Sequence, residues 1–440
     1  MQITPIPHPL NATVRVPGSK SLTNRALLIA ALANGTTRLT NALFSDDSRY
    51  FARALQTLGF ELTLDETNHE RPASSSVEMT VTGLGGQIPA SKADLYIGNA
   101  GTAARFLSAF LTLGHGQYTL DGDSRMRERP IGDLMAALQP LGARLGPASA
   151  QNWSLMTDYS RICPPVKILA SGLPGGKTTV AGNISSQFLS ALLMVAPYAQ
   201  TPIEITVSTE LNSKPYVDMT LAIMRDFGVT VERDEYRFFR IFPNRYSPIP
   251  NYPIESDASA ASYFFAAPAI CGGTVRVENI SRRSVQGDIA FLDVLEKMGC
   301  AVQETDNCLL ITGRSPLHGI DLDMRDIPDT AQTLAVLAPF ADSPTRIRGI
   351  ASARVKETDR VAATCAELTR LGVQVEEHFD GMTIYPCQNF RPAVIQTYND
   401  HRMAMAFSLI GLRVPGVTIE NPACVSKTFP NFFEVLDTLR

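Results

Sequence analysis

The sequence predicts an α/β protein of two domains, each assembled from three copies of one unit. A pattern of strand, polar loop, amphipathic helix and glycine recurs six times along the chain. Between successive copies stands a helix that opens on small or polar residues and is then apolar on nearly every side. The length, 440 residues, is more than one hydrophobic core usually organises.

The first family of segments begins at 36-TTRLTNALFSDDSRYFARALQTLGFELT-63 and returns at 118–145, 203–231, 274–302, 345–375 and 417–440. Each opens with alternating apolar residues, the period of a half-buried strand. A polar loop follows, and then a helix such as 288-DIAFLDVLEKMG-299, with apolar residues three and four apart. Gly59, Gly142, Gly228, Gly299 and Gly372 stand where a left-handed residue closes that helix. A β-branched strand comes next.

The second family comprises 19-SKSLTNRALLIAALA-33 and the equivalent stretches 99–114, 184–199, 257–270, 328–341 and 399–412. Helices apolar all round are buried, and their small polar first residues read as N-caps. Repetition at this length marks a duplicated architecture. Three units fit between residue 20 and about 245 and three from about 255 onward, with the Pro- and Asn-rich 243-PNRYSPIPNYP-253 predicted as a linker. Within a domain the three buried helices are expected to lie parallel with their positive N-termini at one end, a ready anion site. Two such domains facing one another would form an anion-binding cleft.

Composition narrows the classes. Hydrophobic residues make up 45% and charged residues 19%, as in globular rather than disordered chains. A net charge of −4 and a single tryptophan argue against a nucleic-acid-binding module, and the charge against general attraction to anionic membranes. No apolar run reaches the ~18 residues of a membrane span. The start, MQITPIPHPL, has no basic-then-apolar signal pattern, so a cytoplasmic protein is expected. The seven cysteines are scattered without metal-ligand spacing, which predicts reduced, mostly buried thiols and neither zinc site nor disulfide frame.

Charge is concentrated at the helix starts. Lys20, Ser21, Asn24 and Arg25 lead the first buried helix, and Asn99, Gly101, Thr102 and Arg105 the second. Ser185, Ser186 and Gln187 lead the third, Asp329 the fifth, and His401 and Arg402 the sixth. Loops before the amphipathic helices add Arg125, Arg127 and Arg129, then Ser213, Lys214 and Tyr216, then 354-RVKETDR-360, then Lys427. Capping alone explains Ser21, Asn99 or Ser185 taken singly, and RVKETDR alone reads as an exposed helix start. Recurrence at equivalent repeat positions decides for function, because packing gives charge no reason to return there. Many cations with a few carboxylates suit phosphate and carboxylate ligands, with acid–base groups among them. Arg53, Arg225 and Arg370, on the amphipathic helices, read as solvated.

One stretch misleads. In 170-ASGLPGGKTTVAG-182 the first glycine is one residue too close for a Walker A loop, Pro174 intrudes, and no helix follows directly. The GLGG at 83–86 reads as a loop.

Nine segments together resemble the enolpyruvyl transferase family: PGSKSLTNRAL, GNAGTAARF, GDSRMRERPIGDL, SSQFLSALLM, LNSKPYVDMT, SRRSVQGDI, RVKETDR, YNDHRMAM and SKTFPNFF. They occur in order over nearly the whole chain. The resemblance implies six βαβαββ units in the family's inside-out α/β barrel. Domain limits on this basis are 21–245 and, discontinuously with an N-terminal strand, 1–20 plus 246–440, with the site in the cleft between them. It implies transfer of the enolpyruvyl group of phosphoenolpyruvate to the 5-hydroxyl of shikimate 3-phosphate, releasing phosphate, in aromatic amino acid biosynthesis. No metal or organic cofactor is implied, and a monomer is expected.

The family's shikimate 3-phosphate contacts fall on Lys20, Ser21, Arg25, Ser185, Ser186, Gln187, Ser213, Tyr216, Asp329 and Lys356. A further contact, usually Asn, is here the shorter Ser352. Phosphoenolpyruvate contacts fall on Lys20, Asn99, Gly101, Thr102, Arg125, Gln187, Arg360, His401, Arg402 and Lys427. Gly101 keeps the small residue associated with glyphosate sensitivity, whereas the Pro common after Arg105 is Phe106, a change expected to tilt that helix. Asp329 is expected to act as base and Glu357 as proton donor to carbon, with Lys20 and Lys427 assisting proton transfer and phosphate departure. The sibling enzyme acting on UDP-N-acetylglucosamine typically has a reactive cysteine in the loop after the second buried helix; here that loop, 121-DGDSRMRERP-130, has none. A non-catalytic phosphometabolite sensor on the same fold is the remaining alternative, but it would not need Asp329 and Glu357 beside the cations.

Overall fold

The computed structural model describes residues 1–65, 76–150, 158–159, 161–306 and 308–440. The chain runs through β1 (Leu10–Arg15), α1 (Lys20–Leu32), β2 (Asn34–Leu43), α2 (Asp46–Thr57), β3 (Glu61–Asp65) and β4 (Ser76–Leu84). The same six-element order returns as β5 (Lys92–Tyr96), α3 (Gly101–Phe110), β6 (His115–Asp121), α4 (Gly132–Leu138), β7 (Arg144–Pro147) and β8 (Val166–Ser171). A third copy is β9 (Gly176–Val180), α5 (Ser186–Val195), β10 (Ile203–Val207), α6 (Lys214–Asp226), β11 (Glu232–Asp234) and β12 (Phe238–Ile241). The fourth is β13 (Tyr252–Pro253), α7 (Ala258–Cys271), β14 (Gly273–Glu278), α8 (Phe291–Lys297), β15 (Ala301–Thr305) and β16 (Cys308–Gly313). The fifth is β17 (Asp321–Asp323), α9 (Ala331–Leu337), β18 (Thr345–Arg348), α10 (Arg360–Arg370), β19 (Val375–His378) and β20 (Gly381–Ile384). Last come β21 (Ala393–Ile395), α11 (His401–Gly411), β22 (Val417–Ile419) and α12 (Phe432–Asp437). The βαβαββ expectation is met five times over.

Sheet pairing refines that picture. In the second, third and fifth copies the first two strands pair in parallel across the buried helix, and the last two add antiparallel, as in the order β5-β6-β8-β7. The first and fourth copies exchange their leading strands. β1 lies parallel to β14, with Leu10 opposite Gly273, while β13 lies parallel to β2, with Tyr252 opposite Leu39. The sixth sheet is the parallel pair β21–β22, flanked by residues 1–3: Ile3 N–H donates to Val417 O at 2.9 Å, and Gln2 bridges Thr418 antiparallel. The amino end thus fills the place that the fourth strand takes elsewhere.

Two compact units result, Met1–Gly18 with Glu255–Arg440, and the described residues from Ser19 to Ile254. The changeovers fall at 18/19 and 254/255, which corrects the linker reading of 243–253. That stretch packs onto the second of these units because its apolar residues find partners there. Tyr246 is buried with its hydroxyl donating to Met194 O at 2.9 Å, and Asn41 Nδ2 donates to Ile254 O at 2.8 Å.

Each unit has its own core. α1, α3 and α5 are central to one and α7, α9 and α11 to the other. Ala26 to Leu32 are completely enclosed along α1, which is why no polar face interrupts that stretch. The five predicted closing glycines are all left-handed, with φ of 93°, 94°, 88°, 102° and 88° at residues 59, 142, 228, 299 and 372. The Walker-like stretch spans the end of β8, the turn after it and all of β9, so a strand and not a helix follows its glycines. Among the described residues, no helix is long and apolar enough to cross a membrane.

Gly83 and Leu84 lie in β4 and not in a loop, and the reason is packing. A side chain on Gly83 would run into the Ala30 and Ala33 carbonyl oxygens at the end of α1. Gly313, the equivalent end of β16, lies against the Pro268 carbonyl near the end of α7 in the same way. Backbone on both sides leaves little room to yield. Gly83→Ala and Gly313→Ala should each destabilise the protein by about 2 kcal/mol or more, the scale of an overpacked core. Urea unfolding followed by circular dichroism checks this; an unchanged midpoint would show that the strand and helix can separate freely.

Candidate active site

In the unit spanning Ser19 to Ile254, the start of α1 sets the geometry. Ser19 caps the helix, its hydroxyl accepting from Leu22 N–H at 3.4 Å. Lys20 Nζ lies 3.7 Å from Oδ2 of Asp47, a buried carboxylate in the first turn of α2. One turn on, Arg25 is fully enclosed. Its Nε donates to Thr220 Oγ1 at 2.7 Å, Nη1 to Ser21 O at 2.9 Å, and Nη2 to Tyr216 O at 3.1 Å and Ser190 Oγ at 3.4 Å. The Phe106 ring centre is 5.2 Å from the guanidinium. Among the described residues these hydrogen-bond partners are all neutral oxygens, and burial pushes the guanidinium down to about 10. A buried cation stabilised only by dipoles is costly, and a bound anion would offset that cost.

Around α3 the packing is close. Arg105 donates to Gly101 O at 3.0 Å and to Pro130 O at 2.8 Å, and Arg129 Nη1 donates to Asn99 Oδ1 at 2.9 Å. A Cβ on Gly101 would lie 2.7 Å from Arg129 Cζ and 2.9 Å from Arg105 Nη1, so glycine there lets both guanidiniums reach the helix start. Gln187 Nε2, in the first turn of α5, donates to Thr102 Oγ1 at 3.4 Å. Ser185 caps α5 and Ser186 is buried beside it. Ser213 precedes α6 in a left-handed conformation (φ 56°), and its carbonyl accepts from Tyr216 N–H. Arg125 pairs with Glu128 at 2.7 Å. Arg127, counted with the anion-binding cations from sequence, is exposed and pairs instead with half-buried Asp121.

The other unit gathers a denser network where α7, α9, α10 and α11 begin. Asp329 accepts from Lys356 Nζ at 2.6 Å, Arg360 Nη1 at 3.2 Å and Arg402 Nη2 at 2.7 Å. Arg360 also holds Asp400 (2.7 Å from Nε) and Glu357 (2.8 Å from Nη2), both buried. Burial works against the charge on Arg360, but Asp400, Glu357 and Asp329 outweigh it and raise its affinity for the proton. Asp400 doubles as the cap of α11, accepting from Arg402 N–H at 2.9 Å. Arg402 Nη1 lies 3.4 Å from the Tyr263 hydroxyl on α7. Lys427, largely buried, ends the 3-10 turn Pro422–Lys427 packed on α11. Ser352 is half-buried in the turn before Lys356. The fixed cations and carboxylates could position phosphate and carboxylate groups and move protons beside them.

Comparison with known proteins settles the relationship. The family model described as EPSP synthase (3-phosphoshikimate 1-carboxyvinyltransferase) matches residues 5–436. The chain belongs to that family. A 3-phosphoshikimate 1-carboxyvinyltransferase of Nostoc punctiforme is 48% identical over 98% of this chain and 97% of its own length. One from Serratia proteamaculans is 50% identical over 97% of this chain and 96% of its own. An EPSP synthase structure from Acinetobacter baumannii superposes with a TM-score of 0.78 at 26% identity, covering all of this chain and 97% of that one. The chain is thus an enzyme, an EPSP synthase-type transferase of the shikimate pathway, on the two-domain α/β fold of that family.

Phe106, where the resemblance has Pro, lies within α3. α3 remains continuous from Gly101 to Phe110, and the ring packs beside Arg25. His401 is wholly enclosed, with Nδ1 3.5 Å from Asp400 Oδ1, so its ring faces protein. Sequence reasoning missed Asp47, Asp400 and Asp288. Asp400 was within reach, since it occupies the cap position directly before His401 and Arg402. Asp47 carries no such mark, because only the fold brings it to Lys20.

Asp288, in the SRRSVQGDI segment, is buried and accepts a hydrogen bond from Ser259 in the first turn of α7. Burial, and then the charge of Asp329, push its carboxyl up from 3.8 to about 6. An acid raised on folding binds its proton more tightly in the native state, so stability falls as pH climbs from the unfolded value through the folded one. Asp288→Asn should therefore melt with wild type below pH 4 and above it, in temperature, beyond pH 6. Thermal unfolding across that range checks this; a variant less stable at pH 8 would show that the Ser259 bond to the ionised acid outweighs its burial.

Proposed function

We propose that this enzyme transfers the enolpyruvyl group of phosphoenolpyruvate to the 5-hydroxyl of shikimate 3-phosphate. The observation that carries the chemistry is Asp329 held by Lys356, Arg360 and Arg402 at 2.6–3.2 Å. An anionic substrate reaching Arg360 and Arg402 draws their donors away from Asp329. Losing nearby positive charge makes that carboxylate more basic as the reactants come together. Asp329 then takes the 5-hydroxyl proton while the hydroxyl oxygen attacks C2 of phosphoenolpyruvate. Glu357 donates a proton to the methylene carbon, giving a tetrahedral adduct. The same groups then act in reverse: Glu357 takes back a methyl proton as the carbon–oxygen bond to phosphate breaks, regenerating the vinyl group, and inorganic phosphate leaves with the proton held by Asp329. Lys20 and Lys427 assist the proton transfers and the departing phosphate.

Shikimate 3-phosphate is assigned to Lys20, Ser21, Arg25, Ser185, Ser186, Gln187, Ser213, Tyr216, Asp329, Ser352 and Lys356. The buried Arg25, surrounded by neutral oxygens, suits its phosphate. Phosphoenolpyruvate is assigned to Lys20, Asn99, Gly101, Thr102, Arg125, Gln187, Arg360, Arg402 and Lys427, with His401 supporting Arg402 from within the fold. Such clamps convert a bimolecular encounter into a positioned one. The reaction as drawn uses no metal or organic cofactor. We place the enzyme in the cytoplasm as a monomer; five buried free thiols suit a reducing compartment.

Phosphate release from phosphoenolpyruvate, with and without shikimate 3-phosphate, tests the reading. Wild type should release phosphate only with both substrates, and Asp329→Ala should lower kcat by about 10²- to 10⁴-fold, the usual weight of a general base. Release that survived in the variant would remove Asp329 as base, and none with shikimate 3-phosphate would overturn the substrate assignment.

A further inference from the structure

Glu367, on the amphipathic helix α10, is fully buried although its side chain is an acid. A buried carboxylate needs partners, and this one has three. Gln396 N–H donates to its Oε2 at 3.0 Å, the Tyr398 hydroxyl donates to Oε1 at 2.9 Å, and Arg370 Nε donates to Oε2 at 3.0 Å. Two of those donors belong to 396-QTYND-400, the segment that delivers Asp400 and Arg402 to the Asp329 network.

That segment does not hold its shape by local preference. Tyr398 and Asn399 are consecutive left-handed residues, with φ of 53° and 54°, a conformation unfavourable for side chains other than glycine and worst for bulky ones. It persists only when its surroundings over-determine it. Glu367 supplies that restraint from a helix which also carries Arg360, seven residues and so two turns earlier on the same face. α10 therefore grips the segment twice. Glu367 binds residues 396 and 398, and Arg360 binds Asp400 at 2.7 Å. Beyond the second grip, Asp400 caps α11 and Arg402 reaches Asp329.

We propose that Glu367 is a positioning residue that locks the 396–400 turn and thereby aims Arg402 and Asp400, resting on the reading of Arg360 and Arg402 as the phosphoenolpyruvate clamp. It touches no substrate and acts through the main chain of the turn. Its loss frees Arg402, whereas most residues assigned to shikimate 3-phosphate stand in the other unit and Asp329 keeps its bonds to Lys356 and Arg360, so phosphoenolpyruvate responds the more strongly.

Steady-state phosphate release, varying each substrate separately, tests this in Glu367→Ala, Glu367→Gln and Tyr398→Phe, each checked for native folding by circular dichroism. Glu367→Ala should raise KM for phosphoenolpyruvate about tenfold or more while KM for shikimate 3-phosphate stays within twofold. Glu367→Gln, which keeps an acceptor, should return to within threefold of wild type, and Tyr398→Phe should fall between. A folded Glu367→Ala with unchanged KM for phosphoenolpyruvate, or equal losses for both substrates without rescue by Gln, would overturn the proposal. Should the alanine variant not fold, an unchanged Tyr398→Phe overturns it instead. A wild-type protein that releases no phosphate refutes the function itself, and this assignment falls with it.

Discussion

A helix buried on every side can carry charge only where hydrogen-bonding partners reach it, which favours its first turns. Six such helices organise this molecule, and their enclosure leaves no stretch of α1 between Ala26 and Leu32 where charge could be tolerated. The chemistry is driven to the first turns and to the loops that meet them. There the unsatisfied N–H groups and the helix dipole favour anions, and caps such as Ser19, Ser185, Asp257 and Asp400 share the space with cations. The repeated architecture multiplies one such end into several.

The two units solve the problem of a buried cation in different ways. Arg25 is held by two hydroxyls, two carbonyls and an aromatic face, so its positive charge is solvated but not neutralised. Arg360 is neutralised by three carboxylates, and Arg402 shares one of them. The first arrangement suits steady retention of an anion. The second suits exchange, because a ligand competing for Arg402 changes the state of Asp329 at once. Which partner each arginine meets thus decides whether its charge is left over or shared with carboxylates.

Chain connectivity ties these ends together. β1 completes the sheet of the fourth repeat and β13 that of the first, so the chain passes twice between units and both passages are pinned by parallel pairing. Residues 1–3 complete the sixth sheet against β22, on the strand that follows α11. The helix bearing Arg402 is thus bounded on one side by the amino end of the chain and on the other by the turn that Glu367 holds.

Much was legible in the residues because it is local. Apolar runs, caps, closing glycines and alternating strands depend on neighbours a few positions away, and the βαβαββ order and the cations at helix starts follow from them. The resemblance of nine ordered segments was enough to identify the family. What residue order could not carry depends on distant chain. Nothing near Asp47 indicates that it meets Lys20, and nothing near Glu367 indicates that an exposed-looking helix hides a carboxylate against residues 396 and 398. The stretch 243–253 reads as a linker by composition, yet packs because Tyr246 reaches Met194. The sequence by itself determined which residue types stand at which ends of which elements, since propensity and periodicity are short-range. Only the tertiary structure decided which charges pair, which strands are exchanged and which polar groups are enclosed, since those follow from desolvation and contact between residues hundreds of positions apart.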